Sequence, residues 1–143
     1  PDLSRPILGR GVAVGDFDND GRMDALVVDS SGAPLLLHNE TAGAGHWLTL
    51  NLVGTKSNRD GFGALVTADT GMQTITRLCH ADGSYLSASD KRVHLGLGAA
   101  TTVKTLTIRW PSGQTDVYKD VPADQIATAV EGAHSFTKYP SER

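Results

Sequence analysis

Cysteine is nearly missing from this chain of 143 residues: Cys79 stands alone. No intrachain disulfide can form, so the fold must hold without covalent staples. A chain of this length can do that, because it buries roughly two-thirds of the surface its unfolded form exposes. Cys79 is expected as a small buried apolar residue, and by itself it neither demands nor excludes an oxidising compartment. No apolar run approaches the roughly 18 residues of a membrane-spanning helix. Basic residues form no stripe, Lys91-Arg92 being the one adjacent pair, which argues against nucleic acid as a partner. A signal peptide is missing as well, and the chain opens on Pro1-Asp2-Leu3 without Met. We therefore expect a segment of a longer chain whose targeting sequence lies upstream. Catalytic signatures are also lacking: there is no G-x-S-x-G, no P-loop, no H-E-x-x-H and no Cys pair. His38, His46, His80, His94 and His134 are scattered.

The most informative stretch present is Asp16-Phe17-Asp18-Asn19-Asp20-Gly21-Arg22-Met23-Asp24. Its carboxylates fall at loop positions 1, 3, 5 and 9, with glycine at position 6. Alternate side chains of a tightly curled loop point inward, so Asp16, Asp18 and Asp20 can converge on one centre. Gly21 permits the closing turn, the backbone carbonyl of Arg22 can add an oxygen, and Asp24 supplies a further carboxylate. Several hard oxygen ligands describe a calcium site better than a zinc or copper site. Carboxylates this close repel one another by roughly 1 kcal/mol per pair at about 4 Å even in water, and a cation relieves that. A solvated acidic turn is the plainer alternative, since Asp, Asn and Gly all favour turns. The loop is not an EF-hand, because Val27 occupies position 12 and the flanks Gly11–Gly15 and Ala25–Val28 read as strands. The net charge of −3 owes much to this loop and would shrink on binding a divalent ion.

The rest of the chain is strand-like. Short strands are expected at 11–17, 24–30 and 34–39, followed by a small-residue linker, Thr41-Ala42-Gly43-Ala44-Gly45. From His46 the pattern is that of a larger β domain. Leu48, Leu50 and Leu52 share one face and Trp47, Thr49 and Asn51 the other, the period-2 signature of a half-buried strand. Further strands read at about 63–69, 72–80, 93–97, 103–110, 114–119 and 126–131. In the 103–110 strand Leu106, Ile108 and Trp110 oppose Thr105, Thr107 and Arg109, and Pro111-Ser112-Gly113 turns the chain back. Pro122 to Gln125 offers at most one helical turn. After Gly132 the polar tail is expected to fray. The fold class is all-β, with domains over 1–44 and 45–133 and a tail over 134–143.

Two resemblances rest on these residues. Val12 to Asn39, with Val14-Gly15-Asp16-Phe17-Asp18-Asn19-Asp20-Gly21 and Asp24, resembles an FG-GAP or VCBS-type repeat. The resemblance implies part of a β-propeller blade, calcium in the loop and further blades upstream in the parent chain. Trp47 to Gly132 resembles the ASPIC/UnbV domain of the cartilage acidic protein family and of related bacterial proteins, some from enediyne gene clusters. The carrying motifs are Asn58-Arg59-Asp60-Gly61-Phe62-Gly63-Ala64, Gly83-Ser84-Tyr85-Leu86-Ser87, His94-Leu95-Gly96-Leu97-Gly98 and Arg109-Trp110-Pro111-Ser112-Gly113. An antiparallel β-sandwich or barrel-like domain preceded by a partial blade is the expected architecture.

The functional expectation is a non-catalytic, calcium-binding β module of a secreted or cell-surface protein, mediating adhesion or binding of a protein or glycan ligand. Asn58 and Arg59, in a polar loop between strands, and Trp47, facing away from the leucines of its strand, are the candidate ligand contacts. Each has a plainer reading: a turn in which Arg59 pairs with Asp60 or a neighbour, and an indole covering a second small core. The alternative is an accessory or catalytic domain in polysaccharide or enediyne-type natural-product processing. Asp82 and Asp90, flanking Gly83-Ser84-Tyr85, would then be the carboxylates to suspect, although a solvated loop is the plainer reading because nothing fixes their separation.

Overall fold

Val12, Val14, Ala25, Val27, Leu35 and Leu37 lie on alternate positions of three short apolar runs, and their pairing defines the first unit of the fold. The computed structural model describes residues 6–138, so the first five residues of the lead-in and positions 139–143 of the tail lie outside it. Three strands, β1 (Gly9–Gly15), β2 (Asp24–Asp29) and β3 (Leu35–Leu37), form an antiparallel meander. The register sets Val14 opposite Ala25 and Ala25 opposite Leu37, then Val12 opposite Val27 and Val27 opposite Leu35. These six share one face. Ala13, Leu26 and Leu36 share the other. Both faces are apolar, which is the composition of strands covered on two sides.

A bare edge strand offers unpaired amides to any passing chain. Here the outer edge of β1 is met by residues 81–90, which belong to the same compact unit as residues 1–43. The amide of Val12 donates to Ser84 Oγ (3.2 Å), that of Val14 to Ser89 Oγ (3.2 Å), and that of Asp90 to the Val14 carbonyl (2.9 Å). Gly11 has no room for a side chain, because a Cβ there would lie 2.4 Å from Ser87 Oγ and 2.8 Å from the Tyr85 carbonyl oxygen. The Gly83–Ser87 motif is thus a strand-edge cover.

Residues 44–80 and 91–143 make the second unit. Its strands are β4 (His46–Val53), β5 (Leu65–Asp69), β6 (Thr74–Leu78), β7 (Val93–Gly98), β8 (Thr102–Arg109), β9 (Thr115–Pro122), β10 (Gln125–Val130) and β11 (Thr137–Lys138). They form two sheets, β11-β10-β4-β7 and β6-β5-β8-β9. The arrangement is that of a β-sandwich and is not closed into a barrel. Leu48, Leu50 and Leu52 of β4, Val93, Leu95 and Leu97 of β7 and Ala127 and Ala129 of β10 form one core with Val66, Ala68, Leu106 and Ile108. The leucines of β4 and the apolar residues of β8 fall inside as read, with Trp110 buried beside them, but Thr49, on the other face of β4, is buried as well, so β4 is covered on both sides there. One pairing departs from the antiparallel expectation. β10 runs parallel to β4, with Gln125 opposite Leu48 and Val130 opposite Val53. Parallel neighbours need a long crossover, here supplied by the other strands of the unit.

Two further expectations are corrected. Residues 122–125 contain no helical turn: Asp124, at φ 57°, makes a tight connection between β9 and β10. Its side chain holds His46 Nδ1 at 2.7 Å. Among the described residues the tail is also ordered into the sheet, with β11 pairing Ala127 to Lys138. Phe136 stacks on Tyr118 at 3.9 Å between ring centroids, while the Tyr118 hydroxyl donates to the Ala133 carbonyl (3.0 Å). Apolar burial of one aromatic ring outweighs the polar composition around it.

One end of the sandwich is tied by two buried carboxylates. Asp116 Oδ2 accepts from Trp110 Nε1 (2.7 Å) and the Gly132 amide (2.8 Å), and its Oδ1 accepts from Gln114 Nε2 (2.9 Å). Glu131 Oε2 accepts from the amides of Thr55, Lys56 and Ser57 at 2.7–2.8 Å, and Oε1 accepts from the hydroxyls of Ser57 and Ser112. Burial pushes the Glu131 carboxyl up, but the Ser112 hydroxyl and the amides of Ser57, Lys56 and Thr55 outweigh it and bring it to about 2. A carboxyl whose pKa falls on folding contributes stability that is in place above its ordinary value near 4.5 and is lost as pH drops toward about 2.

Thermal melts should therefore find E131Q less stable than wild type at neutral pH by about 1–3 kcal/mol, the cost of mismatched buried donors. The gap should close as pH falls from 4.5 toward about 2. A gap that is constant with pH would remove the assigned role. Cys79 is buried, its Sγ within 3.5 Å of the carbonyls of Asp60 and Lys91, and burial pushes its thiol up to about 11. An aromatic disulfide reagent at mildly alkaline pH should leave the native thiol untouched and titrate it at once in denaturant.

Candidate metal centre

The acidic loop joins β1 to β2, and two left-handed residues, Asn19 (φ 63°) and Gly21 (φ 87°), curl it. Asp16 and Asp24 are buried at its two ends, whereas Asp18 is exposed at its tip. Both buried carboxylates serve the backbone. Asp16 accepts from the amides of Asp20 (3.0 Å) and Gly21 (2.9 Å). Asp24 accepts from those of Phe17 (3.1 Å) and Asn39 (2.8 Å). A carboxylate oxygen keeps further acceptor capacity after one hydrogen bond, so these contacts fix the oxygens without exhausting them.

One oxygen each of Asp16, Asp18 and Asp24 lie within 4.8 Å of one another. Calcium binds oxygen at about 2.3–2.6 Å, so ligands across the ion sit about 4.6–5.2 Å apart. The three oxygens therefore fit around a single ion of that size. Asp20 is placed differently. It groups with Asp18 and His38 within the same 4.8 Å limit, and its Oδ2 forms an ion pair with the Arg22 guanidinium. Arg22, nominated for its carbonyl, thus also brings a cationic side chain, whose Nε donates to the Asn39 carbonyl (2.5 Å).

His38 is the neighbour that spacing alone does not reveal. Its Nε2 lies 3.1 Å from Asp18 Oδ2, and its ring meets Phe17 edge-on. The signal that finds it is hairpin register: Ala25 pairs with Leu37, which sets residues 38 and 39 beside Asp24 and Met23. The same register lets Asn39 donate from Nδ2 to the Met23 carbonyl (3.2 Å), strapping the loop closed.

The three candidate ligand contacts do not come together. Trp47 sits near the start of β4 and Asn58 and Arg59 beyond its far end, about 20 Å of extended strand away. Trp47 is half-buried and stacks on His94 (6.2 Å between centroids, 20° between planes), whose Nδ1 is 2.9 Å from Thr49 Oγ1. Asn58 is a turn residue: its side chain accepts from the Asp60 amide and its carbonyl from the Gly61 amide, both at 2.9 Å. Arg59 is exposed. Of the two pairings expected for it, the one with Asp60 goes instead to Lys91, whose Nζ is 2.5 Å from Asp60 Oδ1 and whose hydrogen bond holds that carboxyl below its ordinary value.

No curated protein matches the chain. A family model described as ASPIC and UnbV matches residues 54–136, more than half of the sequence. The acidic loop lies outside the matched span, whereas the Thr55–Ser57 loop, the Trp110–Gly113 turn and Glu131 all lie within it. On that match, and on the β-sandwich that carries it, the chain belongs to the ASPIC and UnbV family.

Proposed function

We propose that this chain is a non-catalytic binding module of a secreted or cell-surface protein, with calcium held by the loop between β1 and β2. The observation that carries the reading is the convergence of Asp16, Asp18 and Asp24 oxygens within the span of one calcium coordination sphere. Asp20 and the Arg22 carbonyl are the further donors the loop can offer. The ion would act as a clip that binds only the curled loop, relieving carboxylate repulsion and holding the ends of β1 and β2. Millimolar extracellular calcium suits a partly exposed site of this kind. With a Kd of about 0.1 mM, usual for extracellular modules, the gain is roughly 1.4 kcal/mol.

An FG-GAP or VCBS-type repeat is the reading we favour for β1–β3. A short antiparallel meander with two apolar faces and an acidic first turn suits a propeller blade, and its partners would be upstream blades of the parent chain. The exposed aliphatic residues Leu26, Val28 and Leu36 are what such neighbours would cover. The ligand of the module is a protein or a glycan.

Differential scanning calorimetry tests the clip. Millimolar calcium should raise the wild-type melting temperature by about 3–6 °C, EDTA should reverse the rise, and Asp18→Ala should abolish it. A melt indifferent to calcium, EDTA and the substitution would remove the site. Ester and glycoside substrates should show no turnover with or without calcium. Turnover lost in Asp82→Asn or Asp90→Asn would replace the binding module with an enzyme.

A further inference from the structure

The Arg109–Gly113 motif contains four residues with visible structural work and one without. Trp110 fills the core and donates to Asp116, Pro111 and Gly113 (φ 92°) make the turn, and Ser112 donates to Glu131. Arg109 is exposed, and among the described residues its guanidinium makes no hydrogen bond or ion pair. It stands at the end of β8 on the outward face of the β6-β5-β8-β9 sheet, beside a concavity of about 320 Å³. Gly63, Leu65, Trp110, Gly113, Gln114 and Thr115 line the rest of it, and the volume is in the range of small-ligand sites.

Register explains the chemistry of this face. Leu65, Arg109 and Thr115 are directly opposite one another on three neighbouring strands. The next outward row is Thr76, Thr67, Thr107 and Val117, and the row after it Thr74, Asp69, Thr105 and Lys119. Strands lie about 4.7–4.9 Å apart, and the hydroxyls on this face already meet neighbours: Thr67 Oγ1 and Thr76 Oγ1 lie 3.3 Å apart, and Thr105 Oγ1 accepts from Lys119 Nζ (2.8 Å). Each threonine hydroxyl both donates and accepts, which matches a polyol and offers little to an apolar ligand. The single fork of five donors at Arg109 matches a planar carboxylate. Gln114 is held in place from below by its bond to Asp116, and Gly113 would meet no heavy atom within 4 Å of an added Cβ. The backbone there is open to a ligand. Leu65 supplies an apolar patch for the C–H face of a sugar ring.

We propose that the concavity beside Arg109 binds an acidic sugar, with the uronate carboxylate on the guanidinium and a ring hydroxyl on Thr115; the neighbouring sugars of a chain would reach the Thr107–Thr67–Thr76 row, which lies outside the concavity. The inference deepens the binding-module reading and rests on it for the absence of turnover. It does not involve the acidic loop.

The test is an NMR titration of isotopically labelled protein, with and without EDTA, using trigalacturonate, neutral maltotriose and sodium acetate. Trigalacturonate should shift the amides of Gly63, Gly113 and Thr115, with maltotriose and acetate at least about tenfold weaker. Arg109→Gln should weaken trigalacturonate by at least about tenfold, the loss expected for a hydrogen-bonded charge pair. Arg109→Lys should recover only part, because an ammonium lacks the fork. The Arg109→Gln melting temperature should match wild type, since the side chain holds nothing in the fold. Equal binding of maltotriose or acetate, an unchanged affinity in Arg109→Gln, shifts mapping elsewhere, or no shifts at about 10 mM saccharide would each overturn the proposal. The calcium reading is judged separately, by melts, so the two can fail independently.

Discussion

Loops in an all-β protein leave backbone amides that no strand ladder can satisfy, and in this chain buried carboxylates satisfy them. Asp16 and Asp24 take three amides of the β1–β2 loop and that of Asn39 after β3. Asp29 takes those of Leu8 and Ser31, and Glu131 takes three in succession from Thr55 to Ser57. An amide left unpaired away from water costs as much as a lost hydrogen bond, and an anion is a stronger acceptor than a carbonyl. The cost is a buried charge, which is tolerable only where every lone pair is well used. Glu131 meets that condition with five donors. The acidic loop concentrates several carboxylates in one turn, which makes it the natural place for the proposed ion.

The two ends of β4 show how local chemistry divides labour within the second unit. At one end Asp124 gathers His46 and the Trp47 amide, and Trp47 stacks on His94. At the other, Glu131 joins the loop after β4, the β8–β9 turn and the end of β10. Between them β4 lies against β10 on one side and β7 on the other, its leucines in the core. A strand pinned at both ends and paired on both sides gives the sheet a rigid centre, and the outward face of the opposite sheet carries threonines and Arg109 among Leu65, Leu78, Val117, Asp69 and Lys119.

The first unit solves a different problem. Its β1 edge would be a template for another strand, yet the covering residues come from 81–90, some seventy positions later in the chain. Serine hydroxyls, and not a further strand, take the Val12 and Val14 amides. This breaks the ladder at that edge and spares the chain an exposed row of donors.

Strand identity was legible from the residues alone, because a side chain's face depends on position parity and burial punishes error at every second residue. That is why β4 and β8 fall where alternation puts them and why Trp110 is inside; Cys79, just past β6, is buried as expected of a small apolar residue. The acidic loop was legible only in part: Asp16 and Asp18 lie together as their spacing suggests, but Asp24 joins them while Asp20 turns to His38 and Arg22. Tertiary structure alone decided what meets across long separations: the parallel β4–β10 pairing, His38 beside Asp18, Lys91 in place of Arg59 on Asp60, and Glu131 under the Thr55–Ser57 loop. It also drew part of a polar tail into the sheet through Phe136. Sequence pattern encodes which face of an element is apolar, a property of neighbours along the chain. Which distant group arrives to satisfy a given donor depends on register and crossover, and these exist only once the sheets have formed.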